Sequence, residues 1–218
     1  MTSLQHPDSV AIIETRVAHD IHRAASALLV DAAQRPTVPC ALLADLRGFL
    51  VENLRHHHET EDHDLWPLLL ESAPETAAEL ERLSDQHERL ETALDALAGV
   101  PIDDETDGAS ARAELRAAAA EVRETVLHHL EHEEPVLLPA LGAHMESEVW
   151  DAFAMRVVTT SPTVAAHLMV GFIQEVASER EAELLFSRLP EPVQDLLPSM
   201  REQAAADLRS LRGAEREA

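Results

Sequence analysis

The sequence predicts an all-α protein: an antiparallel four-helix bundle over residues 9–142, followed by additional C-terminal helices over residues 143–218. Three observations lead there. Ala and Leu dominate an apolar fraction of 45%, and glycine is only 6 of 218 residues, a balance that favours helix over sheet. Apolar residues recur at three- and four-residue spacing through four long segments joined mostly by short breaks, the pattern of an antiparallel bundle. Finally, HHHETEDHDLWP (56–67) aligns with HHLEHEEPVLLP (128–139) at an offset of 72, so the second and fourth segments read as equivalent helices of two related hairpins.

The first helix starts after the capping pair Asp8-Ser9 and runs to about Gln34, where RPTVP breaks it. A second runs from about Val38 to about Glu71, disturbed at Pro67, whose ring lacks a backbone donor. Ser72-Ala73-Pro74-Glu75 reads as a cap followed by proline in a first turn, so a third helix spans about Pro74 to Ala98. GVPIDDETDG (99–108) is the clearest loop. The fourth helix spans about Ala109 to Leu141, and Gly142 suits its end. Beyond it, Ser161-Pro162, Pro190, Pro192 and Pro198 divide the extension into shorter helices. The run VAAHLMVGFI (164–173) is apolar enough to need cover, either on the bundle or at a homodimer interface through the C-terminal helices.

Composition removes several classes of function. Asp plus Glu is 41 against 17 basic residues, a formal net charge of −24. Such a surface repels phosphate backbones, so no nucleic-acid partner is expected. Every basic residue is Arg, which excludes a phosphate-binding or Schiff-base lysine. There is no Tyr to act as ligand or acid, and the single Cys40 excludes a disulfide framework. No apolar run reaches the roughly 18 residues of a membrane span, and the N-terminus lacks a signal-peptide pattern. The expectation is a cytoplasmic protein without a membrane partner. Histidine is the outlier, with 13 residues.

Those histidines fall in a pattern. His57 precedes Glu61, and His129 precedes Glu133, by four residues, so each pair shares a helix face. The first pair falls in the stripe of Leu43, Leu46, Leu50, Leu54 and Leu68, the second in that of Leu115, Ala118, Val122, Val126 and Ala140. His87 lies amid Leu80, Leu83, Leu90 and Leu94. All five residues therefore point into the bundle. Buried carboxylates need a partner, and no arginine lies on those stripes near them. A metal centre of imidazole and carboxylate, of iron, manganese or zinc, answers that need. Folding the helices together brings position 59 opposite position 87 and about position 14. On the first helix, level favours His19 and face favours His22; His19 is preferred and His22 stays open. The fourth helix fits less well, because its pair lies about 20 residues from its start. Either that helix overhangs or the 99–108 loop climbs alongside it.

A His on the first helix, H-x-x-x-E on the second, a His on the third and H-x-x-x-E on the fourth resemble the hemerythrin-like, HHE cation-binding domain. The resemblance covers about residues 10–141 and includes ED-x-x-LWP (61–67) and EE-x-x-LLP (133–139). The remainder is similar, more distantly, to the helical extension of some actinobacterial members. The resemblance implies two iron ions (Fe2+/Fe3+) joined by an oxo, hydroxo or water bridge, ahead of zinc or manganese. It implies bridging by Glu61 and Glu133, with His19 (or His22), His57, His87 and His129 as terminal ligands. The chain departs from the oxygen-carrier pattern at Leu83, where a second His would stand, and in a His-to-carboxylate spacing of four rather than five on the fourth helix. His58 and Glu91 are the candidate substitutes. Fewer nitrogen ligands would leave open coordination positions, favouring reaction with O2, peroxide or NO.

The other histidines have plainer readings. His56, His63, His128 and His132 point away from the stripes and read as solvated or supporting groups. His6, His144 and His167 read as ordinary surface or core residues. Trp66 falls on the face opposite Glu61 and reads as packing on a neighbouring segment. Pro135 frees the Glu131 carbonyl and could kink the fourth helix. The functional expectation is a di-iron protein binding or reacting with a diatomic or peroxide ligand, with catalase- or peroxidase-like chemistry preferred. The rivals are a non-catalytic O2, NO or iron sensor or store, and a metal-stabilised interaction module. A zinc hydrolase is disfavoured because a buried, carboxylate-bridged site leaves little room for a larger substrate.

Overall fold

A computed structural model describes residues 9–102 and 108–213. Helix α1 (Val10–Ala32) begins at Ser9, whose hydroxyl accepts a hydrogen bond from the Ile12 backbone, so the cap is the serine of the expected pair. Asp8 and His6 lie outside the described residues. The second bundle helix is built in three contiguous parts: α2 (Cys40–Thr60), a π-helical turn (Glu61–Leu65) and α3 (Trp66–Ser72). Pro67 cannot donate to the carbonyl four residues back, and the π-turn directly ahead of it absorbs that loss. After a single 3-10 turn (Pro74–Thr76), α4 covers Ala77–Ala98 and α5 covers Ala109–His144. Helix α5 remains α-helical through both Pro135 and Pro139 and ends three residues beyond the expected Leu141.

Around the bundle, α1 packs on α2 and α5, and α4 packs on the same two helices, the arrangement of an antiparallel four-helix bundle. The level problem on the fourth helix is resolved at its first turn. Arg112, 8% exposed, reaches back to donate to the carbonyls of Arg35 and Val38 (3.0 and 2.8 Å), in the turn between α1 and α2. At the end of α4, by contrast, the Val100 carbonyl receives the Arg47 guanidinium, well along α2. Helix α4 therefore ends at a different level from the start of α5, and Ile102 is buried after it; residues 103–107 of the expected loop lie outside the described residues.

The extension folds as α6 (Ser147–Thr160), α7 (His167–Val176), α8 (Glu179–Ser187), α9 (Glu191–Gln194) and α10 (Leu197–Leu211). Most of the apolar run 164–173 is covered within the chain: Leu168, Val170, Phe172 and Ile173 join the core that also holds Phe49, Leu50 and Leu54, while Val164 stays exposed. Phe49 and Phe172 stack with centroids 5.6 Å apart, tying α2 to α7. At Gly171 a Cβ would meet Ala204 at 2.8 Å and Leu208 at 2.7 Å, so only glycine lets α7 and α10 approach this closely. Among the described residues no helix is long and apolar enough to cross a membrane.

Two apolar clusters divide the bundle lengthwise. The larger contains Leu54, Leu90, Val126 and Leu130; the smaller contains Leu65, Leu83, Leu137 and Trp150. In the π-turn, on α4 and on α5 in turn, Glu61, His87 and Glu133 lie between residues of the one and residues of the other. The layer separating the two clusters is polar.

Candidate metal centre

Each face expectation can be read at this layer. His19, His87 and His129 are buried, as are Glu61 and Glu133, at 2% and 0% exposure. His57 is the partial exception, its side chain 16% exposed. The two first-helix candidates both come in: His19 stands against His57 with ring centroids 5.3 Å apart, His22 at 4.7 Å. His58 is also buried, stacked on His87 at 4.3 Å. Glu91 is not brought to the cluster. It faces solvent and pairs with Arg55 at 2.6 Å, because Leu90 and Leu94 already occupy the inward face of α4 at that level.

Two sets of four side chains emerge: His58, Glu61, His87 and His129, and His19, His57, Glu61 and Glu133. Within each set one ligand atom per residue lies within 4.8 Å of all the others. Glu61 belongs to both. Its Oε1 is 3.2 Å from His57 Nε2 and its Oε2 is 3.6 Å from His87 Nε2. Glu133 Oε2 is 3.0 Å from His129 Nε2 and 3.7 Å from His19 Nε2. His58, one of the two candidate substitutes for the histidine absent at Leu83, thus stands in one of the sets, which holds three histidines while the other holds two.

The chemistry of the donors tests whether a cation fits. His19 Nε2, His22 Nδ1, His57 Nε2, Glu61 Oε2 and both Glu133 oxygens are buried without a hydrogen-bond partner. So many orphaned acceptors in one layer would be strongly destabilising with nothing between them. A sharper sign is the contact between His87 Nε2 and His129 Nε2 at 3.3 Å. His87 Nδ1 faces Asp62 Oδ2 at 3.0 Å, and His129 Nδ1 faces Gln86 Oε1 at 3.2 Å. With both Nδ1 atoms donating, both Nε2 atoms present lone pairs to each other, an arrangement that a cation between them makes favourable. The residues present fit a metal.

Electrostatics agree. Burial, then the charge of Glu133, pushes Glu61 well above the usual carboxylate range. Burial opposes the Glu133 charge as well, but His19 and His129 outweigh it and hold that carboxyl low. Among the described residues the ion pairs of both carboxylates are with histidines, and Arg23 is engaged by Glu134 instead. Burial, reinforced by neighbouring histidines, drives His57 and His58 well below 6.5 and His22 to about 3. All three stay neutral, the form that ligates metal.

Trp66 departs from expectation. Five residues after Glu61 along an ordinary α-helix it would face away, but the π-turn bonds the Trp66 N–H to the Glu61 carbonyl five residues back, and this wider turn brings Trp66 round to the site side. There it is 4% exposed and stacks on His87, centroids 6.2 Å apart and planes at 17°. Sequence reasoning also passed over Asp62, Gln86 and Glu134, which bond the Nδ1 atoms of His87, His129 and His19. Two of these, Asp62 and Glu134, stand in the aligned repeat beside Glu61 and Glu133, so a signal for them was present. The outlying histidines lie as read. His63 and His132 are exposed and turn Nδ1 to the carbonyls four residues back. His128 is exposed beside His132, and His56 bonds the Thr160 hydroxyl at 2.8 Å. His144 is exposed and His167 is buried against Asp207 at 3.1 Å.

An all-α bundle with a buried layer of histidine and carboxylate across its middle defines a class of cation-binding helical proteins. The family model described as "Hemerythrin HHE cation binding domain" matches residues 11–141, and the chain belongs to that family, whose metal is typically iron. No match was found among curated proteins or among solved structures.

Proposed function

We propose that this chain is a non-haem di-iron protein that binds or reacts with O2, peroxide or NO. One observation carries the reading: two ligand sets meet at a shared carboxylate, Glu61, within a single buried layer. His58, His87 and His129 would hold one ion, and His19, His57 and Glu133 the other. Glu61 would bridge, with Glu133 as the second bridging carboxylate and an oxo or hydroxo group completing the pair. His22, buried beside His57 with Nδ1 unpartnered, is the reserve donor on the two-histidine side. Bound iron would supply open coordination positions and one-electron redox steps.

The protein's own contribution is selection and exclusion. Leu54, Leu90 and Leu130 on one side, and Leu65, Leu83 and Leu137 on the other, seal the layer from bulk water. His57 is the one member of either set with an exposed edge, so a small molecule reaches the cluster on the half that has fewer imidazoles. That geometry supports diatomic or peroxide ligands over larger substrates and a catalase- or peroxidase-like reaction in the two-histidine half. A cytoplasmic location belongs to the same proposal. So does homodimerisation through outer faces of the C-terminal helices, since most of the run 164–173 is already covered.

Metal content of protein purified without added metal tests the reading. Two irons per chain are expected, followed by peroxide turnover. One zinc, or no metal, would remove the di-iron assignment.

A further inference from the structure

Asp62 and Glu134 stand at equivalent positions of the two repeats, one position after Glu61 and Glu133. Neither belongs to a ligand set. Each reaches across to a neighbouring helix. Asp62 Oδ2 lies 3.0 Å from Nδ1 of His87 on α4, and Glu134 Oε1 lies 3.1 Å from Nδ1 of His19 on α1. Both histidines are buried, at 5% and 0% exposure. Each carboxylate also receives a hydrogen bond from a second group, Asp62 from the Ser84 hydroxyl and Glu134 from the Arg23 guanidinium. Each therefore serves as an acceptor, and the facing ring nitrogen carries the hydrogen.

We propose that Asp62 and Glu134 are paired positioning residues of the metal centre: each accepts Nδ1–H from one histidine and so turns that ring's bare Nε2 into the cluster. They serve one half each, His87 in the three-histidine set and His19 in the two-histidine set. The assignment as a metal centre rests on the function proposed above; the two hydrogen bonds do not. The pairs are unequal. Ser84 supports Asp62 at 2.5 Å with a neutral hydroxyl, whereas Arg23 partly neutralises Glu134 at 2.8 Å. Asp62 therefore pulls harder on its imidazole proton and makes His87 the more basic ligand.

The experiment uses the full chain loaded with iron and follows release to a ferrous chelator. Asp62→Ala should speed release of one of the two irons by about 10- to 100-fold and leave the other near wild type. Glu134→Ala should free the other iron by a smaller factor. Asp62→Asn and Glu134→Gln keep an acceptor and should restore most of the retention. Long-range proton–nitrogen spectra of the metal-free protein supply a second readout. His87 and His19 should be Nδ1–H tautomers in the wild type and in the amide variants, and mixed in the corresponding alanine variant. Should an alanine variant fail to fold, the wild-type spectra carry the test: a bare Nδ1 with hydrogen on Nε2 at His87 or His19 would overturn the proposal. An unchanged tautomer in Asp62→Ala, or equal release of both irons from each alanine variant, would overturn the proposal. A wild type that takes up no iron would sink the di-iron reading alone, and the spectra would still decide the hydrogen bonds.

Discussion

Residues 56–67 and 128–139 share one pattern of His, Glu, Leu and Pro, yet the first opens into a π-turn while the second stays α-helical through two prolines. They also deliver different donors. His57 and His129 are equivalent, as are Glu61 and Glu133, but His58 stands where the second repeat has Leu130. Both of those are inward and buried, so one substitution on an inward flank makes one half of the layer richer in imidazole. The π-turn adds a second asymmetry by bringing Trp66 onto His87, while its counterpart Leu138 is half-buried on α5. Equal spacing along a helix sets which face a residue shares; it does not make the two halves of a site equal.

The comparison can be broken most severely at the shared carboxylate. Glu61→Ala removes the residue common to both sets and should abolish loading of both ions, whereas Glu133→Ala removes a member of the two-histidine set and should spare more metal in the other. Metal analysis of the two variants checks this; full metal content in Glu61→Ala would end the bridging assignment. His58→Leu makes the first repeat copy the second. It should empty the three-histidine half and leave about one metal per chain, with the fold retained because leucine is the residue found at the equivalent buried position.

A smaller effect should appear in the metal-free protein as pH changes. His22, His57 and His58 are neutral when folded and have pKa values below their unfolded 6.5. Below pH 6.5 the unfolded chain binds more protons than the folded one, so stability should fall as pH drops toward 3. Each such histidine contributes a slope of up to about 1.4 kcal/mol per pH unit. Glu61 is raised and acts in the opposite direction, its protonated form keeping the fold stable until pH rises through its folded value. Urea melts between pH 7 and 4 should therefore show a net loss, which bound metal suppresses. The smallest effect is expected at Glu91. Its pair with Arg55 is exposed, so Glu91→Ala should cost no more than about 1 kcal/mol in thermal melts and leave metal content unchanged.

Much of this was legible in residue order. Four helices, their stripes and the inward direction of His57, His87, His129, Glu61 and Glu133 follow from a 3.6-residue period, because a helix's side-chain directions are set locally. So does the need for a cation, since buried carboxylates without arginine demand one. Tertiary structure decided the rest. Level and face arguments divided His19 from His22 because one places a residue along the helix axis and the other around it; packing α1 against α2 admits both. The place of Trp66 depended on the helix period changing over Glu61–Leu65, which no fixed-period reading anticipates. Glu91 was lost to an ion pair with a residue 36 positions away. The bonds from His87 to Asp62 and from His19 to Glu134 run between helices, so their distances exist only once the bundle closes. Wherever the helix period holds, the sequence alone determined which side chains face inward; only the packed bundle determined which of them meet, because direction is a property of one helix and distance a property of two.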